Sequence, residues 1–132
     1  DGFIDCIATD HAPHTKLEKE GTFNETAFGM IGLESAFSLC VQLVREKQFT
    51  LEHIARFLSQ NAAALLKLED RGKIEEGRRA DLTVVDLDAE WTVSEEALAS
   101  KSRNTPFMGR TLPGVVTHTI FGGRVVYSSL QG

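Results

Sequence analysis

Cysteine is scarce in this chain: Cys6 and Cys40 are the only two among 132 residues. Two cysteines make no disulfide framework. Both fall in apolar stretches and read as small buried hydrophobes in a reducing, cytoplasmic setting. Basic residues are also few, since 14 Lys and Arg face 19 Asp and Glu for a formal net charge of −5. A nucleic-acid partner, which needs a basic patch or stripe, is not expected. No apolar run approaches the roughly 20 residues that cross a bilayer. The amino end lacks the basic-then-apolar pattern of a signal peptide, so no membrane association is expected. Missing too are the Gly-x-Gly-x-x-Gly phosphate loop and the Gly-x-Ser-x-Gly elbow. With 42% hydrophobic and 25% charged residues, what remains is the composition of a globular domain.

What is present is concentrated near the start. Ala8-Thr9-Asp10-His11-Ala12-Pro13-His14 follows the apolar run Phe3-Ile4-Asp5-Cys6-Ile7. Chemistry on an α/β scaffold is usually placed at the carboxyl ends of strands, which is where this cluster falls. Asp10 could bind a borderline cation, act as a base toward water, or simply cap a loop. Pro13 stiffens the segment and biases Ala12 toward extended geometry. His11 and His14 are therefore not the helical pair of a His-Glu-x-x-His site. Each could bind an anionic group or hydrogen-bond the backbone.

Along the chain, 3–9 reads as a buried strand and 14–28 as a loop longer than the usual connection. A helix is expected over 29–47, with Met30, Ile31, Leu33, Phe37, Cys40, Val41 and Val44 on one stripe. Thr50 reads as the N-cap of a helix over 51–59, and Asn61 as the cap of a further short one. After about Leu68 the chain becomes glycine-punctuated and β-rich. Strands are expected over 81–86, 115–121 and 124–127, the last two joined by a Gly122-Gly123 hairpin. Ser94 would cap one or two helical turns. His53 and His118 read as structural or surface residues, and the Lys101, Arg103 and Arg110 region as a solvated polar loop. One strand followed by its helices looks like one unit of a larger parallel structure, since a lone strand cannot satisfy its own edges.

Five blocks carry a family resemblance. They are 1–14, 28–34 (Phe-Gly-Met-Ile-Gly-Leu-Glu), 72–82 (Gly-Lys-Ile-Glu-Glu-Gly-Arg-Arg-Ala-Asp-Leu), 104–109 (Asn-Thr-Pro-Phe-Met-Gly) and 122–127 (Gly-Gly-Arg-Val-Val-Tyr). In this order they resemble the carboxyl-terminal part of the dihydroorotases, in the cyclic amidohydrolase group. The resemblance implies an α/β fold: the carboxyl-terminal part of a (β/α)8 TIM-like barrel plus part of a small β-rich side domain. Residues 1–68 would hold the last barrel strand, its loop and the terminal helices, and 69–132 the side-domain segment.

The implied activity is zinc-dependent, reversible hydrolysis of L-dihydroorotate to N-carbamoyl-L-aspartate, in pyrimidine biosynthesis. By resemblance, Asp10 is both metal ligand and general acid/base. His14 binds the substrate carboxylate, and the backbone around Ala27, Phe28 and Gly29 touches the ring. One or two Zn2+ ions are implied for the intact enzyme, with most of their ligands upstream of this chain. The 132 residues alone are accordingly expected to be inactive and not to retain zinc. Implied partners are the small-molecule substrate, a second copy in a homodimer, and aspartate transcarbamoylase. The chain departs from the pattern at Ala62 and Ala27, where the family often has proline. Two other readings stay open: a sister hydantoinase, dihydropyrimidinase or allantoinase, and a non-catalytic dihydroorotase-like scaffold.

Overall fold

The computed structural model describes residues 2–129. Its helices come first: α1 (Ala36–Arg45), α2 (Leu51–Ala55) and α3 (Asn61–Leu65), followed by strands β1 (Leu82–Thr92), β2 (Thr111–Phe121) and β3 (Arg124–Ser128). The strands form one antiparallel sheet in the order β1-β2-β3. Gly122 and Gly123 both have positive φ, 56° and 80°, which is the backbone a two-residue hairpin needs to follow the sheet twist. β1 and β2 are longer than the alternation in the sequence suggests. Shifts in register at Val84/Val85 and between Asp86 and Glu90 let β1 keep pairing to Thr92, opposite Thr111.

The apolar stripe of α1 is buried against β2 and the following helix. Cys40, Val41 and Ile54 form one core cluster, flanked by Ile7, Phe37, Val44, Leu58 and Leu87. A second cluster joins Ile31, Val93, Leu98 and Leu112, with Leu39, Trp91 and Phe107 against it. Ser38, on the same face of α1, is 2% exposed. Its hydroxyl donates to the Gly114 carbonyl at 2.7 Å and accepts from Trp91 Nε1 at 2.8 Å. One buried hydroxyl thus satisfies a strand carbonyl and an indole N–H together. Both cysteines are free; Cys40 is buried, and desolvation pushes its thiol up from the ordinary value, while Cys6 is half-buried.

Three sequence expectations need correction. Residues 3–9 do not form a strand: no neighbouring strand lies beside them among the described residues, and Phe3 is 91% exposed. A strand without a ladder partner has nowhere to send its backbone groups. The helix expected over 29–47 begins only at Ala36, because 29–32 pairs with the 10–14 segment and with Asn104 instead. Of its apolar residues Ile31 is buried by that packing, while Met30 and Leu33, placed on the same stripe by helical period, are exposed. Asn61 is not a cap. A π-helical turn, Arg56–Gln60, carries α2 into α3 without a stop, and Asn61 has helical backbone angles.

Other signals match. Thr50 caps α2 through a reciprocal box with His53, whose ring Nδ1 accepts from the Thr50 N–H at 3.1 Å. Ser94 Oγ accepts from the Ala97 N–H at 3.2 Å and caps a single turn. α1 and α3 both end in Schellman geometry, with Lys47 and Lys67 in the left-handed position at φ 60° and 57°. Among the described residues no helix is long and apolar enough to cross a membrane.

Candidate active-site wall

The segment that carries Asp10 is held from both sides. Upstream, the Ile7 N–H donates to the Phe57 carbonyl at 3.0 Å, within the π-turn, and Asn61 Nδ2 donates to the Asp5 carbonyl at 2.6 Å. Downstream, His11 and Met30 make a parallel bridge in which the Ala12 N–H donates to the Met30 carbonyl at 2.9 Å. His11 is a clamp: its Nδ1 accepts from the N–H groups of Gly32 at 3.1 Å and Leu33 at 3.3 Å. An acceptor Nδ1 places the ring proton of the neutral imidazole on Nε2. The role that sequence alone left open for His11 is therefore to join the Asp10 segment to the approach of α1.

Asp10 sits between these two anchors with φ 45°. Left-handed backbone is uncommon for a residue with a Cβ, and Asp is among the few that tolerate it. Such positions persist where surrounding structure over-determines them, and they cluster at functional sites. The side chain is exposed, and among the described residues no hydrogen-bond donor reaches its carboxylate.

The 14–28 loop folds onto itself and onto this segment. Thr15 and Glu18 form a reciprocal pair: the Thr15 N–H and hydroxyl donate to Glu18 Oε2 at 2.7 and 2.8 Å. Those two bonds hold the Glu18 carboxyl below its ordinary value. Lys19 Nζ then donates to the carbonyls of Ala27 at 2.6 Å and Gly29 at 3.2 Å. Between them, His14 Nε2 reaches the Phe28 carbonyl at 2.7 Å. Three consecutive carbonyls are therefore held by side chains, while the N–H groups of Phe28 and Gly29 have no protein acceptor among the described residues. Gly29 allows the close approach: at φ 113°, a Cβ there would lie 2.5 Å from that of Ala12.

The 100–107 stretch is not the solvated loop expected from its charges. Ser102 is buried, and its hydroxyl accepts from the His14 N–H at 3.2 Å and donates to the His14 carbonyl at 2.6 Å. Asn104 Nδ2 donates to the carbonyls of Ala12 and Gly29, both at 3.1 Å. Its own carbonyl accepts from the Ile31 N–H at 3.0 Å. Arg103 folds back on the carbonyls of Ser100 and Ser102, and Arg110 lies over the Phe107 ring at 5.4 Å. Residues 12–14 and 27–29, just after Asp10, are thus held together by Ser102, Asn104 and Lys19. Ser102 and Asn104 lie 75 to 92 residues from the groups they hold. Only the Asn104 block carried any signal beforehand.

Among the described residues no three His, Cys, Asp or Glu side chains converge as a metal site. An open groove of about 930 Å3, lined by Phe37, Leu51, Ile54, Leu58 and Ile74 among others, lies apart from Asp10, His14 and 27–29.

The amidohydrolase family profile matches residues 1–126. This chain belongs to the amidohydrolase family. Among relatives of this amidohydrolase, a dihydroorotase of Anaeromyxobacter dehalogenans is 48% identical over 127 residues, covering 96% of this chain and 29% of its own length. A dihydroorotase of Carboxydothermus hydrogenoformans is 47% identical, over 98% of this chain and 30% of its own length. The chain therefore spans about three-tenths of the length of the curated relatives it matches. In structure, it overlays an L-hydantoinase from Arthrobacter aurescens with a TM-score of 0.88 at 26% identity, over 96% of this chain and 29% of that one. A dihydropyrimidinase from Brevibacillus agri gives 0.89 at 22% identity, over 98% of this chain and 30% of that one, a likeness of fold. The amidohydrolase fold class expected from sequence, helices first and a β-rich part after, is borne out by these overlays.

Proposed function

We propose that this chain is one wall of a dihydroorotase active site, and that the whole protein hydrolyses L-dihydroorotate reversibly to N-carbamoyl-L-aspartate in pyrimidine synthesis. The observation that carries this reading is identity of 46–48% to dihydroorotases across almost all of the chain. Asp10 is the acid/base: its exposed carboxylate takes a proton from the attacking water and returns it to the leaving amide nitrogen. His14 is the carboxylate reader, because its Nε2–H is a donor that a substrate carboxylate would take over from the Phe28 carbonyl. The outward N–H groups of Phe28 and Gly29 meet acceptor atoms on the ring. Zinc is the metal this reading requires. Asp10 is the ligand this chain would give it, and the others would come from outside these residues.

The cytoplasm is the compartment this reading implies, and a homodimer the assembly. An association with aspartate transcarbamoylase stays within it: a fold neighbour is the inactive dihydroorotase-like domain of a multifunctional protein from Chaetomium thermophilum, with a TM-score of 0.56 at 24% identity. The hydantoinase overlays fit a second reading, a sister cyclic amide hydrolase, without favouring it. Assaying the intact protein on dihydroorotate, hydantoin and allantoin separates the two. Turnover of dihydroorotate alone supports the first reading, and preference for either other ring replaces it.

A further inference from the structure

Asn104 stands where the two halves of the site wall meet, and it contributes nothing to the core clusters. Its side-chain amide has two N–H bonds, and both are used across that junction. One goes to the Ala12 carbonyl, two residues after Asp10 and two before His14, and the other to the Gly29 carbonyl, each at 3.1 Å. Its backbone carbonyl adds a third tie, to the Ile31 N–H at 3.0 Å. The amide oxygen faces the His14 N–H at 3.5 Å and the buried Ser102 hydroxyl that grips His14. The Ala27 carbonyl is turned toward Lys19 and the Phe28 carbonyl toward His14, so the N–H groups of Phe28 and Gly29, on the opposite edges of those peptide planes, point away from these side chains.

We propose that Asn104 is a positioning residue: it sets the spacing between His14 and the Phe28–Gly29 amides, and so the grip on a ligand carrying both a carboxylate and ring carbonyl oxygens. It touches neither substrate nor the Asp10 carboxylate, so its effect falls on binding and not on proton transfer. This inference rests on the dihydroorotase reading.

The test uses the intact enzyme with Asn104→Asp and Asn104→Ser. The first replaces the NH2 group with an acceptor that repels both carbonyls, and the second leaves them unpaired. Loss of ground-state contacts alone raises KM and spares kcat. The expected result in both variants is a KM for dihydroorotate raised about tenfold, the worth of about one hydrogen bond. The kcat and its pH profile should stay near the wild-type values. Unchanged KM, or a fall in kcat at constant KM, overturns the proposal. A second measurement needs no variant: hydrogen exchange of the wild-type 27–30 and 102–105 peptides with and without saturating dihydroorotate. Slowing in both supports the proposal, and slowing in neither or in only one overturns it, including where the variants fail to fold. A wild-type protein that neither binds nor turns over dihydroorotate fails the functional reading instead, and the proposal falls with it.

Discussion

His14 Nε2 donates to the Phe28 carbonyl oxygen at 2.7 Å, bridging the segment after Asp10 and the far end of the loop that follows it. In the proposed enzyme, the same N–H passes from the Phe28 carbonyl to the substrate carboxylate when the ligand binds. His14→Ala then removes a substrate contact and a loop brace together. A hydrogen bond to a charged group is worth about 1.5–3 kcal/mol, so KM for dihydroorotate should rise roughly 10- to 100-fold. Steady-state kinetics of the intact protein check this, and an unchanged KM would remove His14 from the binding site.

Asp10→Asn keeps the side chain's shape and its tolerance of φ 45° but not its basicity. Loss of a general base costs roughly 10²–10⁴-fold in rate. The expected outcome is a kcat lower by that factor with a melting temperature close to wild type. Retention of wild-type turnover would rule out Asp10 as the acid/base.

Ser38→Ala leaves the Trp91 N–H and the Gly114 carbonyl without their shared partner. An unsatisfied buried polar group costs about 1–3 kcal/mol. Denaturant unfolding of the intact protein should show a loss of that order. Activity per folded molecule should be unchanged, because α1 supports the wall without touching it.

Asp81 links the hairpin to the 70–79 turn: its carboxylate accepts from the Gly122 N–H at 2.7 Å and pairs with Arg79 and Arg71. The Gly122 bond, then Arg79, hold this carboxyl below its ordinary 3.8. A group with a lowered folded value stabilises fully above the unfolded value and loses that contribution as pH falls through the folded one. The melting difference between wild type and Asp81→Asn should therefore be full near neutral pH and should close as pH drops below 3.8. A difference that does not vary with pH would mean that the carboxylate charge is not what ties the hairpin.

Local signals carried much of the fold. Thr50, Ser94 and Gly122-Gly123 are short-range geometry, and each appears where its residue type dictates. The helix starts at Ala36 and not at Gly29, because residues 29–32 are held by His11 and Asn104, and neither partner is visible from helical period. Asp10, His14 and Gly29 could be picked out through residue type and family resemblance. Lys19, Asn61 and Ser102 could not, since a lysine, a helical asparagine and a serine gain meaning only from the carbonyls they meet.

The sequence by itself determined the family, the order of helices and then strands after residue 35, the Thr50 and Ser94 caps and the hairpin, because these rest on residue type and neighbours a few positions apart. Only the tertiary structure decided what the Asp10–His14 segment is joined to. Backbone groups of that segment find partners about 20 residues away at Met30 and 90 at Asn104, and Ile7 just before it finds one 50 away at Phe57; hydrogen-bond satisfaction over such separations is a property of the folded chain.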